Sequence, residues 1–167
     1  MATIYLGLGT NLGDKADNLQ RAAEEINRTI GKVTSLSSFY ETAPWGFRSD
    51  NTFLNAALCL ESTLTPEEVL ARTQQIERDL GRTHKSTDGI YSDRPIDIDI
   101  LLYDDLRLST PTLTLPHPGL TDRLFVLLPM TEIAPDLIHP VSGLSIRELL
   151  RRVSQGEGEP GIGTKDL

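Results

Sequence analysis

The stretch Ile96-Asp97-Ile98-Asp99-Ile100-Leu101-Leu102-Tyr103 constrains the fold more than any other part of the chain. Its first five residues alternate with the period of a strand, so Ile96, Ile98 and Ile100 share one face and Asp97 and Asp99 the other. The two carboxylates then stand roughly 6.5 Å apart along the chain. Aspartate is depleted in strands, and like charges on one face repel. The chain therefore needs a sheet with one face in a core and another on which something offsets two carboxylates. A cation is the simplest candidate, because two hard oxygen ligands at this spacing can hold one Mg²⁺ or straddle two beside phosphates. The bland alternative is a solvated acidic face, and an Asp-x-Asp pair alone occurs in many unrelated sites.

The surrounding pattern supplies the rest of such a sheet. A strand is expected over 2–9 and a helix over 14–30, with Asp14 as N-cap, an apolar stripe of Leu19, Ala22, Ala23, Ile26 and Ile30, and Gly31 at its end. A second strand is expected over 33–41 and a third over 53–61, where Leu54, Ala56, Leu58 and Leu60 alternate with Phe53, Asn55, Ala57 and Cys59. Thr65-Pro66-Glu67-Glu68 is a capping box with proline at the first helical position. It opens a helix whose inward stripe is Leu70, Thr73, Ile76 and Leu80, closed by Gly81. The strand over 96–103 follows the loop 82–94. The order β-α-β-β-α-β predicts an α+β, ferredoxin-like antiparallel sheet with helices on one face and the site on the other. A C-terminal helical extension follows. It comprises a short strand near 106–108, a turn at Pro116-His117-Pro118-Gly119, a helix over 122–133 that Pro129 should kink or break, and a last helix over 146–154 with a capping box in Ser145 and Glu148. The 167 residues suit one domain, expected over 1–155, with 156–167 as a disordered tail.

The formal net charge is −8, which argues against a nucleic-acid partner but not against a single nucleotide held by a local basic cluster. Arg78, Arg82, His84, Lys85 and Arg94 form such a cluster. The single cysteine, Cys59, excludes an internal disulfide framework and suits a reducing compartment. No leader pattern and no apolar run of membrane-spanning length are present, so the expected location is the cytoplasm.

Several residues carry chemistry in this reading. Arg82, His84, Lys85 and Arg94 could clamp a triphosphate, and Arg94 stands three residues before Asp97. Asn55 with Phe53 could pair with and stack on a flat heterocycle, as could the chain near Thr42 to Trp45. His117 is first a turn residue, though it could donate to a phosphate. Gly7-Leu8-Gly9-Thr10-Asn11-Leu12-Gly13 has neither dinucleotide-fold nor P-loop spacing. Its glycines let a ligand approach the backbone.

Taken together, these segments resemble one family, the 6-hydroxymethyl-7,8-dihydropterin pyrophosphokinases, from about Ile4 to about Leu150. The markers are Gly7 to Gly13, Ser38-Phe39-Tyr40-Glu41-Thr42, Phe53-Leu54-Asn55-Ala56-Ala57, Gln74-Gln75-Ile76-Glu77, Arg94-Pro95-Ile96-Asp97-Ile98-Asp99-Ile100, Pro116-His117 and Glu132-Ile133-Ala134-Pro135. The resemblance implies pyrophosphoryl transfer from Mg-ATP to the pterin hydroxymethyl group, leaving AMP. It implies that Asp97 and Asp99 hold two Mg²⁺, and that Thr42, Pro44, Trp45, Phe53, Asn55 and Phe125 bind the pterin. It assigns ATP contacts to Gln74, Glu77, His84, Lys85, Arg94, Ile100, Thr114, His117 and Arg123, and puts Arg82 and Arg94 on loops that close over the reaction. The only expected partners are the two small substrates, with no nucleic acid and no membrane, and the chain is expected to act as a monomer. The stretch Gly89 to Arg94 departs from the family, where a tryptophan precedes Gly-Pro-Arg, and His84 stands where arginine is common. A palm-type nucleotidyl transferase or cyclase and a non-enzymatic binding module of the same fold are the rival readings.

Overall fold

A computed structural model describes residues 1–42, 52–81 and 96–157. Strand β1 (Ala2–Thr10) leads into α1 (Lys15–Thr29), then β2 (Lys32–Leu36), β3 (Tyr40–Thr42), β4 (Phe53–Ser62), α2 (Pro66–Gly81) and β5 (Asp97–Tyr103). The hairpin β6 (Leu108–Ser109) and β7 (Thr114–Leu115) precedes α3 (Leu124–Ile133) and α4 (Ile146–Arg152), and a π-helical turn (Val153–Glu157) follows. The main sheet runs β2-β4-β1-β5, all antiparallel, with β3 also paired to β4. This is the expected βαββαβ arrangement.

Helices α1 and α2 cover one face. Ile4, Leu6 and Leu8 of β1, Ala56, Leu58 and Leu60 of β4, and Ile98 and Ile100 of β5 pack beneath them with Leu19, Ala22, Ile26, Val69 and Ile76. Each fully buried Leu or Ile contributes about 1.5–3 kcal/mol relative to an exposed one. Asp14 caps α1 by accepting from the Asp17 N–H, and Thr65 and Glu68 exchange the bonds of the expected capping box on α2. The buried stripe of α2 is Val69, Thr73, Ile76 and Leu80. Leu70, expected in that stripe, is only partly buried. The α1–β2 turn approaches β4 so closely that a Cβ on Gly31 would lie 2.1 Å from the Glu61 carbonyl oxygen, so only glycine fits there.

The second face also carries the C-terminal helical extension. Helices α3 and α4 cover one end of it, where Ala57, Leu101, Leu120, Leu124, Leu127, Met130 and Leu149 form a second core. Leu101 lies on that side by ordinary alternation with Asp97 and Asp99, and Leu102 joins it because β5 carries an extra residue opposite Tyr5 and Leu6 of β1, a bulge that inverts the alternation. Helix α3 begins at Leu124 rather than 122 and runs through Pro129 to Ile133 without breaking. Packing on the sheet offsets the one main-chain hydrogen bond a proline removes. The last helix ends at Arg152, its capping box in place.

The strand expected over 33–41 is two strands. Leu36 of β2 pairs with Leu58, yet Tyr40 of β3 pairs with Asn55. Four steps along one chain thus answer three along the other, which is a one-residue bulge. Ser37 fills the gap in the ladder, accepting the Ala57 N–H on its hydroxyl at 2.9 Å and donating its own N–H to the Ala57 carbonyl at 2.9 Å.

Candidate active site

Strand register assembles the end of the second face beyond α3 and α4. Gly9 of β1 pairs with Asn55 on one side and Asp97 on the other, and Gly7 pairs with Ala57 and Asp99. Asn55, Gly9 and Asp97 therefore form one row across three strands, with roughly 10 Å between the outer two backbones. The middle position has no side chain, so the row is a trough with a carboxamide at one end and a carboxylate at the other. A Cβ on Gly9 would lie 3.0 Å from the Asn55 Oδ1. The glycine-rich motif thus opens a floor and is no phosphate-binding loop.

At the carboxamide end, Asn55 donates through Nδ2 to the Thr42 hydroxyl at 3.0 Å. Both residues are buried. That bond fixes the amide, and it leaves Oδ1 as an acceptor beside Gly9. Phe53 pairs with Thr42 and is half-buried. Phe125, in the first turn of α3, packs against the second core, and the Arg123 guanidinium lies 5.9 Å from its ring centre.

At the carboxylate end, Asp97 and Asp99 are half-buried on the trough side of β5. Glu77 reaches them from α2 and accepts the Ile98 N–H at 2.7 Å. Burial, followed by the repulsion of Asp97 and Asp99, pushes the Glu77 carboxyl up to about 7, although the bond from Ile98 opposes the shift. Three carboxylates thus repel one another, and their charge favours a cation nearby. Among the described residues no group of three His, Cys, Asp or Glu side chains could hold a metal by itself. A cation here has to complete its oxygen shell from another source, such as phosphate oxygens or water.

His117 stands at the edge of this group. Its main-chain N–H donates to the Leu101 carbonyl at 3.0 Å. Its Nδ1 accepts the Gly119 N–H at 2.9 Å, so the proton sits on Nε2 and that atom is a donor. Burial and the Arg123 charge lower its pKa against the pull of Asp97, keeping the imidazole neutral near pH 7. Arg123 lies over Gly119, where a Cβ would come within 2.9 Å of Nε. Gln74 is exposed on α2, and Thr114 is exposed on β7. Thr114 and His117 also border a cavity of about 490 Å³ that reaches Arg107 and His139. The Ile100 side chain is only 4% exposed within the first core, so it is not presented to this end of the second face. Pro44, Trp45, Arg82, His84, Lys85 and Arg94 lie outside the described residues.

Sequence reading missed Glu132, which binds Ser38 and Tyr40 from α3. Both segments had been singled out by their residues, but nothing local announces that they touch.

A model of the 7,8-dihydro-6-hydroxymethylpterin-pyrophosphokinase family matches residues 5–135. A 2-amino-4-hydroxy-6-hydroxymethyldihydropteridine pyrophosphokinase from Porphyromonas gingivalis is 51% identical over 141 residues, covering 84% of this chain and 95% of that protein. A protein of the same name from Aquifex aeolicus is 38% identical, covering 89% and 90%. The folic acid synthesis protein fol1 of Schizosaccharomyces pombe is 37% identical over 91% of this chain, which spans 21% of that longer protein. Among solved structures, an HPPK-DHPS crystal structure with substrates superimposes with a TM-score of 0.71 at 15% identity. It covers 92% of this chain, which spans 44% of it. At that identity the likeness bears on the fold alone.

Proposed function

The chain belongs to the 7,8-dihydro-6-hydroxymethylpterin-pyrophosphokinase family, and from that membership we propose how its residues divide the work. The reaction moves a pyrophosphoryl group from ATP to 6-hydroxymethyl-7,8-dihydropterin in folate biosynthesis. The observation that supports this division is the row Asn55–Gly9–Asp97, because it puts a carboxamide about two strand spacings from a carboxylate with a glycine between.

In this proposal the pterin lies at the carboxamide end. The Asn55 Oδ1 accepts from its polar edge, Thr42 holds that amide in place, and Phe53 and Phe125 flank the ring, with Pro44 and Trp45 completing the pocket. The hydroxymethyl arm then points along Gly9 toward Asp97. Asp97 and Asp99 would hold Mg²⁺, two ions in this proposal. When bound, Mg²⁺ neutralises the triphosphate oxygens and fixes their geometry. Glu77, Gln74, Thr114, His117, Arg123 and the Ile100 main chain face the nucleotide, and His117 donates from Nε2. Arg82, His84, Lys85 and Arg94 supply further positive charge to the phosphates.

The pterin hydroxyl oxygen bonds to the β-phosphorus, its proton passes to solvent, and the bond from that phosphorus to the α-phosphate oxygen breaks to release AMP. The protein forms no covalent bond to substrate. It contributes alignment and preorganised charge. No helix among the described residues is long and apolar enough to cross a membrane, and we assign the enzyme to the cytoplasm as a single-domain monomer over residues 1–155.

Product analysis tests the reaction. With ATP, Mg²⁺ and the pterin, AMP and pterin diphosphate should form one for one. Released pyrophosphate in place of AMP would overturn the reading.

A further inference from the structure

We propose that Glu132 is a positioning residue for the pterin end of the trough, acting by locking the bulge that turns Thr42 onto the site face. This rests on the reading that Thr42 and Asn55 hold the pterin.

The argument starts from parity. Leu36 pairs with Leu58 and packs on the helix-covered face. In an unbroken strand, residues 38, 40 and 42 would share that face with Leu36. Tyr40 instead packs on the opposite side, with the second core, while Phe39 packs on the first. The extra residue between Leu36 and Tyr40 inverts the alternation. Because Tyr40 pairs with Asn55 and Thr42 with Phe53, the inversion is what lets the Thr42 hydroxyl meet the Asn55 amide. Without it, Glu41 would stand opposite Phe53 and the hydroxyl would lie on the far side of the sheet.

A bulge takes its residue out of the ladder, so the freed N–H needs a partner. The freed group is Ser38, whose N–H donates to both Glu132 oxygens at 3.0 and 3.1 Å. The Ser38 hydroxyl donates to the same carboxylate at 3.1 Å, and the Tyr40 hydroxyl at 2.7 Å. One carboxylate on α3 therefore gathers three donors, two from the bulged residue and one from the strand that follows it. The registers before and after the bulge differ by one, and Glu132 bonds to the residues that make only one of them possible.

The test compares Glu132→Ala, Glu132→Gln and Tyr40→Phe with Asn55→Ala as control. Affinity for the pterin is measured calorimetrically with a non-hydrolysable ATP analogue present, and affinity for the analogue is measured alone. Glu132→Ala should weaken pterin binding about tenfold and leave the analogue unchanged, and the Ser38 amide should exchange faster with solvent. Glu132→Gln keeps a carbonyl acceptor for Ser38 and should recover part of the loss. Tyr40→Phe removes one donor and should weaken the pterin about twofold to threefold, which keeps the test open should Glu132→Ala not fold. Unchanged pterin affinity in Glu132→Ala, with weakened affinity in Asn55→Ala, would overturn this proposal alone. Unchanged affinity in Asn55→Ala would overturn the assignment of the pterin end as well. A lower melting temperature without any change in pterin affinity would reduce Glu132 to an ordinary structural contact.

Discussion

The Asn55 side chain donates to the Thr42 hydroxyl at 3.0 Å, and both residues are buried. One hydrogen bond thus decides which atom of the carboxamide faces the trough. Replacing Thr42 with valine keeps the shape and removes the acceptor, so the amide can rotate. The expected result is a pterin affinity about tenfold weaker with an ATP affinity near wild type, read by titration calorimetry. Equal loss for both ligands would show that the bond stabilises the fold and does not orient the amide.

Gly9→Ala probes the floor. The new methyl would sit 3.0 Å from the Asn55 Oδ1, on an amide already tethered to Thr42 through Nδ2. Pterin affinity should fall several-fold, and the melting temperature should move little, because alanine is acceptable in a strand. Saturation kinetics separate the two effects. An unchanged KM for the pterin would mean the trough is not where the ring sits.

Asp97→Asn and Asp99→Asn should each reduce turnover by at least about a thousandfold at saturating Mg²⁺. Each should also raise the melting temperature of the metal-free protein, because Glu77 then loses a repelling neighbour. Turnover and thermal stability moving in opposite directions is the outcome to look for. Wild-type turnover in either variant would remove the metal role.

Gly119→Ala tests Arg123 without touching it. The methyl would press on the guanidinium stem from 2.9 Å, and a long flexible side chain yields more easily than backbone. The fold should persist, while the KM for ATP rises about threefold to tenfold and that for the pterin stays fixed.

Glu132 gives a pH signature. Burial alone would push its carboxyl up, but the bonds from Tyr40 and from Ser38 more than offset that, and its pKa lies below the ordinary 4.5. A lowered carboxylate stabilises the fold above its unfolded value, and the contribution disappears as pH falls through the folded value. Wild type should therefore exceed Glu132→Gln in denaturant stability at pH 7, by about 1 kcal/mol or less given its exposure to solvent. The two curves should converge as pH drops below about 4.5. A gap that persists at low pH would assign the difference to shape and not to charge.

The helices and the central strands were legible in the sequence because their signals are local. Thr65 and Glu68 cap the helix that follows them, and the Ile96–Ile98–Ile100 alternation alone locates a core face. The aspartate pair was legible for the same reason. The bulge at Ser38 was not, since Ser37 and Ser38 read as ordinary strand residues until Glu132, far along the chain, supplies an acceptor. Nor was the covering of the second face by α3 legible, for Pro129 spoke against a continuous helix and only packing overrides it. Thr42, Phe53 and Asn55 were nameable, but the face they share was a tertiary fact.

The bulge between Leu36 and Tyr40 makes this segment a counter of odd and even. Replacing a side chain there alters binding by degrees, because the backbone still arrives with the same phase. Deleting or inserting a single residue reverses the phase of everything up to Thr42, whereas a change of two restores it. Among functional relatives, then, variation in this stretch should occur in the letters and almost never in the spacing by one, and a variant library built here should be designed at fixed length.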